Sequence, residues 1–187
     1  MNMQELLSLS KHERACIIEV LKGLNNGLTK EQISFVHRPE FNSEQMKEAC
    51  LGLEDGLPQE QVSLYYRPEF SARQMHEARF GFGNDLSEEE VSLYYRPEFN
   101  EYQMQEARLG LEHGLSIEQV SFYYKQIFED IQMKEARLGF ENGLTEEQIL
   151  FYYKPDNSYV KMKQIRSQLA AGSNVNLAND ILKALDL

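Results

Sequence analysis

Apolar residues along this chain recur in a fixed order rather than scattering. Met46, Met75, Met104, Met133 and Met162 fall 29 residues apart. Around them the unit reads Q-M-x-E-A-R-L-G-L-E-x-G-L-S-x-E-Q-V-S-x-Y-Y-R-P-E-F, nearly intact in 45–73, 74–102, 103–131 and 132–160. A degenerate first copy, with Ile17 in the Met column, runs through Leu28 to Phe41, and a truncated sixth starts at Met162. Internal repetition at this period is the signature of stacked supersecondary units.

The spacing predicts two short helices per unit. Met75, Ala78 and Phe82 share one helical face and Phe80 lies roughly opposite. In the second helix Val91 and Tyr95 oppose Leu93. Helices this short are marginal alone, and apolar residues on two sides suit units sandwiched between neighbours.

Punctuation supports the division. Asn42, Ser71 and Asn100 precede the first helix with Gln45, Gln74 and Gln103 three positions later, a capping-box pattern; Ser158 precedes Lys161 in the same way. Phe41, Phe70, Phe99 and Phe128 stand at hydrophobic-staple spacing from the methionines. Gly56, Gly114 and Gly143 occupy the place where the chain turns left-handed. Thr29, Ser87, Ser116 and Thr145 cap the second helix with Gln32, Glu90, Gln119 and Gln148, whereas Pro58 replaces the hydroxyl in one copy. Pro39, Pro68, Pro97 and Pro155 limit that helix to about 8 residues. Gln126 and Ile127 replace Pro-Glu in the fourth copy, where a longer helix is expected. The small columns Gly52, Gly81, Gly110, Gly139 and Ala49, Ala78, Ala107, Ala136 allow close helix approach.

The expected fold is all-α, a right-handed α-solenoid of about six 29-residue helix-turn-helix repeats with capping helices. It forms one domain over 1–187: an N-terminal cap at 1–16, five repeats over 17–161, and a partial repeat with C-terminal cap over 162–187. Ser10 and Glu13 offer a capping box for a longer opening helix, and 176–187 reads as an amphipathic closing helix.

Charge narrows the class of partner. The 187 residues carry 30 acidic against 19 basic side chains, a net −11, which opposes direct binding to nucleic acid or anionic lipid and attracts a basic protein. Counted by unit, the charge is −2, −5, −3 and −2 across 45–160, with the maximum in 74–102; 1–44 carries −1 and 161–187 carries +2. Two cysteines, Cys16 and Cys50, make no disulfide framework, so free buried thiols are expected. No apolar run suits a membrane span, and Met1–Ser10 lacks the pattern of a secretion signal, so a cytoplasmic location in a bacterial host cell is expected.

Catalytic and metal chemistry find little purchase. His12, His37, His76 and His113 fall in four different repeat columns, and no phosphate loop, zinc or nucleophile motif is present. We therefore expect no enzyme activity, no metal and no cofactor. The columns Glu48, Glu77, Glu106, Glu135 and Glu54, Glu112, Glu141 read as ladders on a solvated face, since a catalytic pair needs one tuned environment. Arg79, Arg108, Arg137 and Arg166 either pack their stems and pair with glutamates of adjacent units or form a basic stripe for a partner.

Two groups are candidate partner-binding residues. Asp85, Glu88, Glu89, Glu90, Glu98 and Glu101 cluster in the most acidic unit, either as acids favoured near helix N-termini or as a patch for a basic surface. The tyrosine ladders Tyr65-Tyr66, Tyr94-Tyr95, Tyr123-Tyr124 and Tyr152-Tyr153 either pack between repeats with hydroxyls reaching the surface or, if exposed, supply hot spots, with Tyr66, Tyr95 and Tyr124 as candidates.

The stretch Gln-Met-Gln-Glu-Ala-Arg-Leu-Gly-Leu-Glu-His-Gly-Leu-Ser (103–116), followed by Glu-Gln-Val (118–120), resembles the short helical repeats in proteins of bacterial phages and mobile elements. Size and acidity are also similar to those of small anti-CRISPR proteins that inhibit Cas9-type nucleases. The resemblance implies a non-catalytic protein-binding protein, foremost an inhibitor that holds a Cas9-like nuclease through an acidic face. The alternative is a scaffold or adaptor of mobilisation or host-interaction machinery.

Overall fold

The computed structural model describes residues 8–172, and among them every regular element is an α-helix. In order these are α1 (Lys11–Asn25), α2 (Lys30–Val36), α3 (Ser43–Glu54), α4 (Gln59–Tyr65), α5 (Ala72–Gly83), α6 (Glu88–Tyr94), α7 (Glu101–Glu112), α8 (Ile117–Tyr123), α9 (Asp130–Glu141), α10 (Glu146–Tyr152) and α11 (Tyr159–Ala170). Seven-residue and twelve-residue helices alternate from α2 onward, each kind recurring at the 29-residue period. The fold is all-α. The closing helix expected over 176–187 lies outside the described residues.

Residue contacts gather the chain into two compact units, Met1–Val91 and Ser92–Leu187, with the division inside α6. In the first, α1 packs on α3 and α3 on α5, while α2 touches α1 and α3, and α4 touches α3 and α5. In the second, α7 packs on α9 and α9 on α11. There α8 touches α7 and α9, and α10 touches α9 and α11.

Helix starts follow the expected chemistry. Reciprocal capping boxes form at Ser10–Glu13, Thr29–Gln32, Asn42–Gln45, Ser71–Gln74, Asn100–Gln103, Ser116–Gln119 and Thr145–Gln148. Each satisfies donors that the first turn leaves without intrahelical acceptors. Pro58 makes no side-chain cap bond, yet α4 has the same length as its counterparts. Opening helix α1, at 15 residues, is the longer element that Ser10 and Glu13 announced.

The twelve-residue helices end on a left-handed residue. Gly56, Gly114 and Gly143 have φ of +89°, +86° and +77°. At the first of these the Leu57 N–H bonds the Gly52 carbonyl at 2.9 Å and the Gly56 N–H bonds the Leu53 carbonyl at 3.2 Å. That pair of bonds is the Schellman arrangement. In α5 the glycine is replaced by Asp85, which takes φ of +64° while Leu86 N–H still reaches the Gly81 carbonyl at 3.0 Å. Repetition here imposes a backbone conformation on a residue that carries a Cβ.

One expected difference is absent. Without the proline at 126, α8 still ends at Tyr123, and Tyr124 leaves the helix at φ −76°, ψ 82°, almost as Tyr66 does at −77°, 79°. Proline is therefore not what stops these helices. Nor is a tyrosine required, because His37 leaves α2 at φ −77°, ψ 88° in the corresponding place.

The core is the methionine and alanine face. Met46, Met75, Met104, Met133 and Met162, with Ala49, Ala78, Ala107 and Ala136, are completely buried. The opposite sides are less covered than two-sided apolar patterning suggests, since Phe80 and Leu64 remain partly exposed. Close approach through the glycine column is specific: a Cβ on Gly52, Gly110 or Gly139 would overlap the hydroxyl of Tyr65, Tyr123 or Tyr152.

Two substitutions check this account. Gly110→Ala forces the Tyr123 hydroxyl off its site and should cost about 1–3 kcal/mol in urea unfolding; an unchanged midpoint would remove the tyrosine from the packing argument. Asp85→Gly relieves the left-handed strain and should raise stability by about 0.5–1 kcal/mol in the same measurement, whereas a loss would show that the aspartate side chain stabilises the turn.

Candidate functional site

The most information-dense segment of the repeat, Tyr-Tyr-Arg-Pro-Glu-Phe at 65–70 and 94–99 and in altered form at 36–41, 123–128 and 152–157, closes each short helix and leads to the next long one. Its first tyrosine is the last helical residue. Tyr65, Tyr123 and Tyr152 are fully buried, and their hydroxyls donate to the carbonyls of Glu48, Glu106 and Glu135 at 3.1, 2.9 and 3.0 Å, 17 residues back. Each hydroxyl reaches its carbonyl across the glycine that offers no Cβ.

The second tyrosine reaches one unit further. Tyr66, Tyr124 and Tyr153 donate to the carbonyls of Val36, Tyr94 and Tyr123 at 2.6, 2.7 and 2.6 Å, 30 residues back. Those carbonyls belong to the last residue of the preceding short helix, where no intrahelical donor remains. The same rings stack on Phe41, Phe99 and Phe128 at 3.7, 3.9 and 3.8 Å between centroids. Tyr66, Tyr95 and Tyr124 are all buried. They are thus not surface hot spots, and the hydroxyls of Tyr66 and Tyr124 end on backbone rather than at the surface. Desolvation decides it, because a buried phenol needs a hydrogen-bond partner and the helix end supplies one.

Around the aromatic pair lies a charged rim. Arg67 and Arg96 sit over the Phe70 and Phe99 rings at 5.2 Å and pair with Glu69 and Glu98. Arg38 stacks over Phe41 at 4.7 Å and Tyr66 at 4.9 Å.

Two further links between units involve charged and amide side chains. The guanidinium Nε of Arg79, Arg137 and Arg166 donates to Glu48, Glu106 and Glu135, 31 residues earlier, at 3.0, 2.8 and 2.8 Å. Pairing with adjacent units is the structural alternative for this column, and these three arginines adopt it. The glutamate side of the ladder differs from expectation: Glu48, Glu77, Glu106 and Glu135 are buried, not solvated. Paired guanidinium groups make that burial tolerable at Glu48, Glu106 and Glu135. Burial nevertheless pushes the Glu106 carboxyl above its usual range, with Arg137 opposing.

Gln45, Gln103 and Gln132 hold a second role that capping did not reveal. While their carbonyl oxygens cap their own helices, their amide nitrogens donate to Phe70, Phe128 and Asn157 carbonyls at 2.7, 2.8 and 2.8 Å, 25 residues ahead. A signal was available. The long helices carry Gln at this position in four successive units, although Glu caps equally well at Glu13 and Glu90, and only Gln adds a donor.

The acidic candidates are distributed as follows. Asp85, Glu88 and Glu89 are exposed on the turn before α6 and on its first residues; Glu90 is partly covered and caps Ser87 N–H at 2.8 Å. All four lie in the first unit. Glu98 and Glu101 belong to the second, Glu98 exposed and bonded to Arg96, Glu101 half-buried in the first turn of α7. Bonds to Arg96 and to its own backbone hold Glu98 below the usual carboxylate range.

Reactive groups elsewhere are quiet. Burial pushes the Cys50 thiol up to about 12 and raises Cys16 as well, so neither is a thiolate at neutral pH. Cys16 lies 3.8 Å from His12 beside a cavity of about 460 Å³ in the first unit, bordered also by His37, Arg38 and Met46. Among the described residues no three His, Cys, Asp or Glu side chains converge as metal ligands, and no helix is long and apolar enough to cross a membrane. Comparison with protein-family models, curated proteins and solved structures finds no match to this chain.

Alkaline titration tests the tyrosine geometry. Burial raises the ionisation of Tyr65, Tyr66, Tyr123, Tyr124, Tyr152 and Tyr153 well above the ordinary phenol value near 10. The folded state then holds more protons than the unfolded chain above that value, so stability falls as pH rises through it and is unaffected below. Most of the tyrosinate absorbance should appear together with loss of far-UV circular dichroism; tyrosinate forming with the helix signal intact would contradict the buried bonds.

Proposed function

We propose that this chain is a non-catalytic protein-binding α-solenoid whose acidic surface engages a basic protein. In its most specific form the reading makes it a phage or mobile-element inhibitor of a Cas9-type nuclease. The solenoid is supported by helix boundaries that recur every 29 residues and by the same side-chain links 30, 31 and 25 residues apart in both units. One observation carries the binding reading. Buried Glu48, Glu106 and Glu135 are committed to arginines, whereas Asp85, Glu88 and Glu89, in the most acidic repeat, stand exposed.

Carboxylates held on a helix start and a tight turn present fixed negative charge. A protein groove built to hold phosphates meets them as a competing ligand, and its own arginines and lysines steer the encounter. Binding of this kind blocks nucleic-acid entry without any chemical step.

The test is a cleavage assay with purified Cas9-type orthologues. Stoichiometric chain should suppress cleavage, Glu88→Lys with Glu89→Lys should relieve the suppression, and added salt should weaken it. Full cleavage at excess protein across the orthologues counts against the nuclease reading, and recovery of a relaxase from the native host would favour the scaffold role instead.

A further inference from the structure

In the second unit the repeat departs from itself along one edge. Gln103 ties the start of α7 to the Phe128 carbonyl in the turn before α9, and Gln132 ties the start of α9 to the Pro155 and Asn157 carbonyls in the turn before α11. The N-terminal ends of α7, α9 and α11 and the turns leading into the latter two therefore form one continuous edge. On it Tyr102 is 54% exposed, Ile127 68%, Tyr159 43% and Val160 48%, with Ile131 half-buried between them.

The fold does not ask for these residues. At the positions of Tyr102, Ile131 and Val160 the first unit carries Glu44 and Arg73, and at that of Ile127 it carries Glu40 and Glu69, which pair with Arg38 and Arg67. The same helix starts and turns form there with polar side chains. Glu129 departs too: an exposed glutamate stands where Asn42, Ser71 and Asn100 cap the other long helices. Polar residues traded for exposed apolar ones, in a chain whose other repeats supply the polar alternative, mark a surface that is covered by something else.

Charge identifies the occupant. Glu101, Glu129, Asp130 and Asp156 flank the apolar side chains, and the cations on the edge are Arg96, engaged with Glu98, Lys125, over the Phe122 ring at 5.4 Å, Lys154, and Lys161 in the first turn of α11. A second copy of a chain of net charge −11 would bring like charge against these carboxylates. We infer that this edge of the second unit is a docking ridge for a basic amphipathic helix, whose apolar face covers Tyr102, Ile127 and Val160 while its lysines or arginines meet the flanking acids. The inference rests on the protein-binding reading above and gives it a location and a partner chemistry.

Fluorescence anisotropy with two labelled synthetic Leu/Lys peptides tests it, one with its leucines on a single helical face and one a permutation of the same composition. Full-length wild-type chain should bind the amphipathic peptide about tenfold or more tightly over the permuted one. The double variant Ile127→Glu, Val160→Glu, at exposed positions where far-UV circular dichroism should not change, should lose that preference even though it adds two carboxylates. If the variant binds the amphipathic peptide as tightly as wild type or more tightly, the ridge is overturned and the acidic-face reading stands. If neither peptide binds wild type, both fall. Sedimentation showing a dimer that the double variant dissolves would place a second copy on the edge and overturn the basic partner.

Discussion

A seven-residue helix cannot hold itself together in water, and the bond that holds these in place is made by the next unit's tyrosine. The hydroxyls of Tyr66, Tyr124 and Tyr153 each meet the last carbonyl of the preceding short helix. Such a carbonyl has no intrahelical donor and would carry a desolvation cost if buried alone, and at Tyr123 the Lys125 N–H shares it with the tyrosine at 2.9 Å. One side chain thus satisfies a helix end, buries an aromatic ring against a phenylalanine, and fixes the rise from unit to unit. The glycine column follows from the same packing, because the neighbouring tyrosine of each pair needs the space that a Cβ at Gly110 or Gly139 would occupy.

The arginine and glutamine links are of a different kind. Arg137 and Glu106 are buried, and an isolated carboxylate at that depth would be costly, so the pair adds register more than net stability. Gln103 is cheaper: a neutral amide whose two ends cap its own helix and grip the turn of the next. Hydrogen bonds at separations of 25, 30 and 31 residues agree on one register, and a slip by a single residue would break all three at once.

Much of this was legible in the sequence, because capping and left-handed termination are local chemistry. Ser10, Thr29, Asn42 and Ser71 cap as their spacing implies, and Gly56, Gly114 and Gly143 turn as glycines at helix ends do. What was not legible depends on which side of a helix meets its neighbour. Glu48 and Glu106 look like solvated acids in a helical wheel, yet the arginine that buries them comes from 31 residues further on. Tyr66 and Tyr124 read as core or surface residues until the stacked Phe41 and Phe99 are placed. The exposed acids Asp85, Glu88 and Glu89 were findable by counting charge along the chain, although Glu89 belongs to a column that is glutamate at Glu31, Glu60, Glu118 and Glu147 as well.

A repeat protein carries its own controls, and they separate what folding requires from what it tolerates. Residues that recur at 29-residue spacing, such as Met46, Ala49, Gln45 and Tyr66, are buried or bonded across units, so their recurrence is explained by the stack. Residues that break the column at no benefit to the fold need another reason. Asp85 accepts left-handed backbone strain where its five described counterparts are glycine, and the first-unit neighbour Gly56 shows the relaxed solution. Ile127 discards an ion pair that Glu69 makes with Arg67 and leaves an isoleucine in water. Both changes are unfavourable for the isolated chain by the same rules that make the rest of it stable. On the proposed protein-binding reading, a partner is to be sought where the columns fail, at Asp85 in one unit and at exposed apolar side chains between carboxylates in the other.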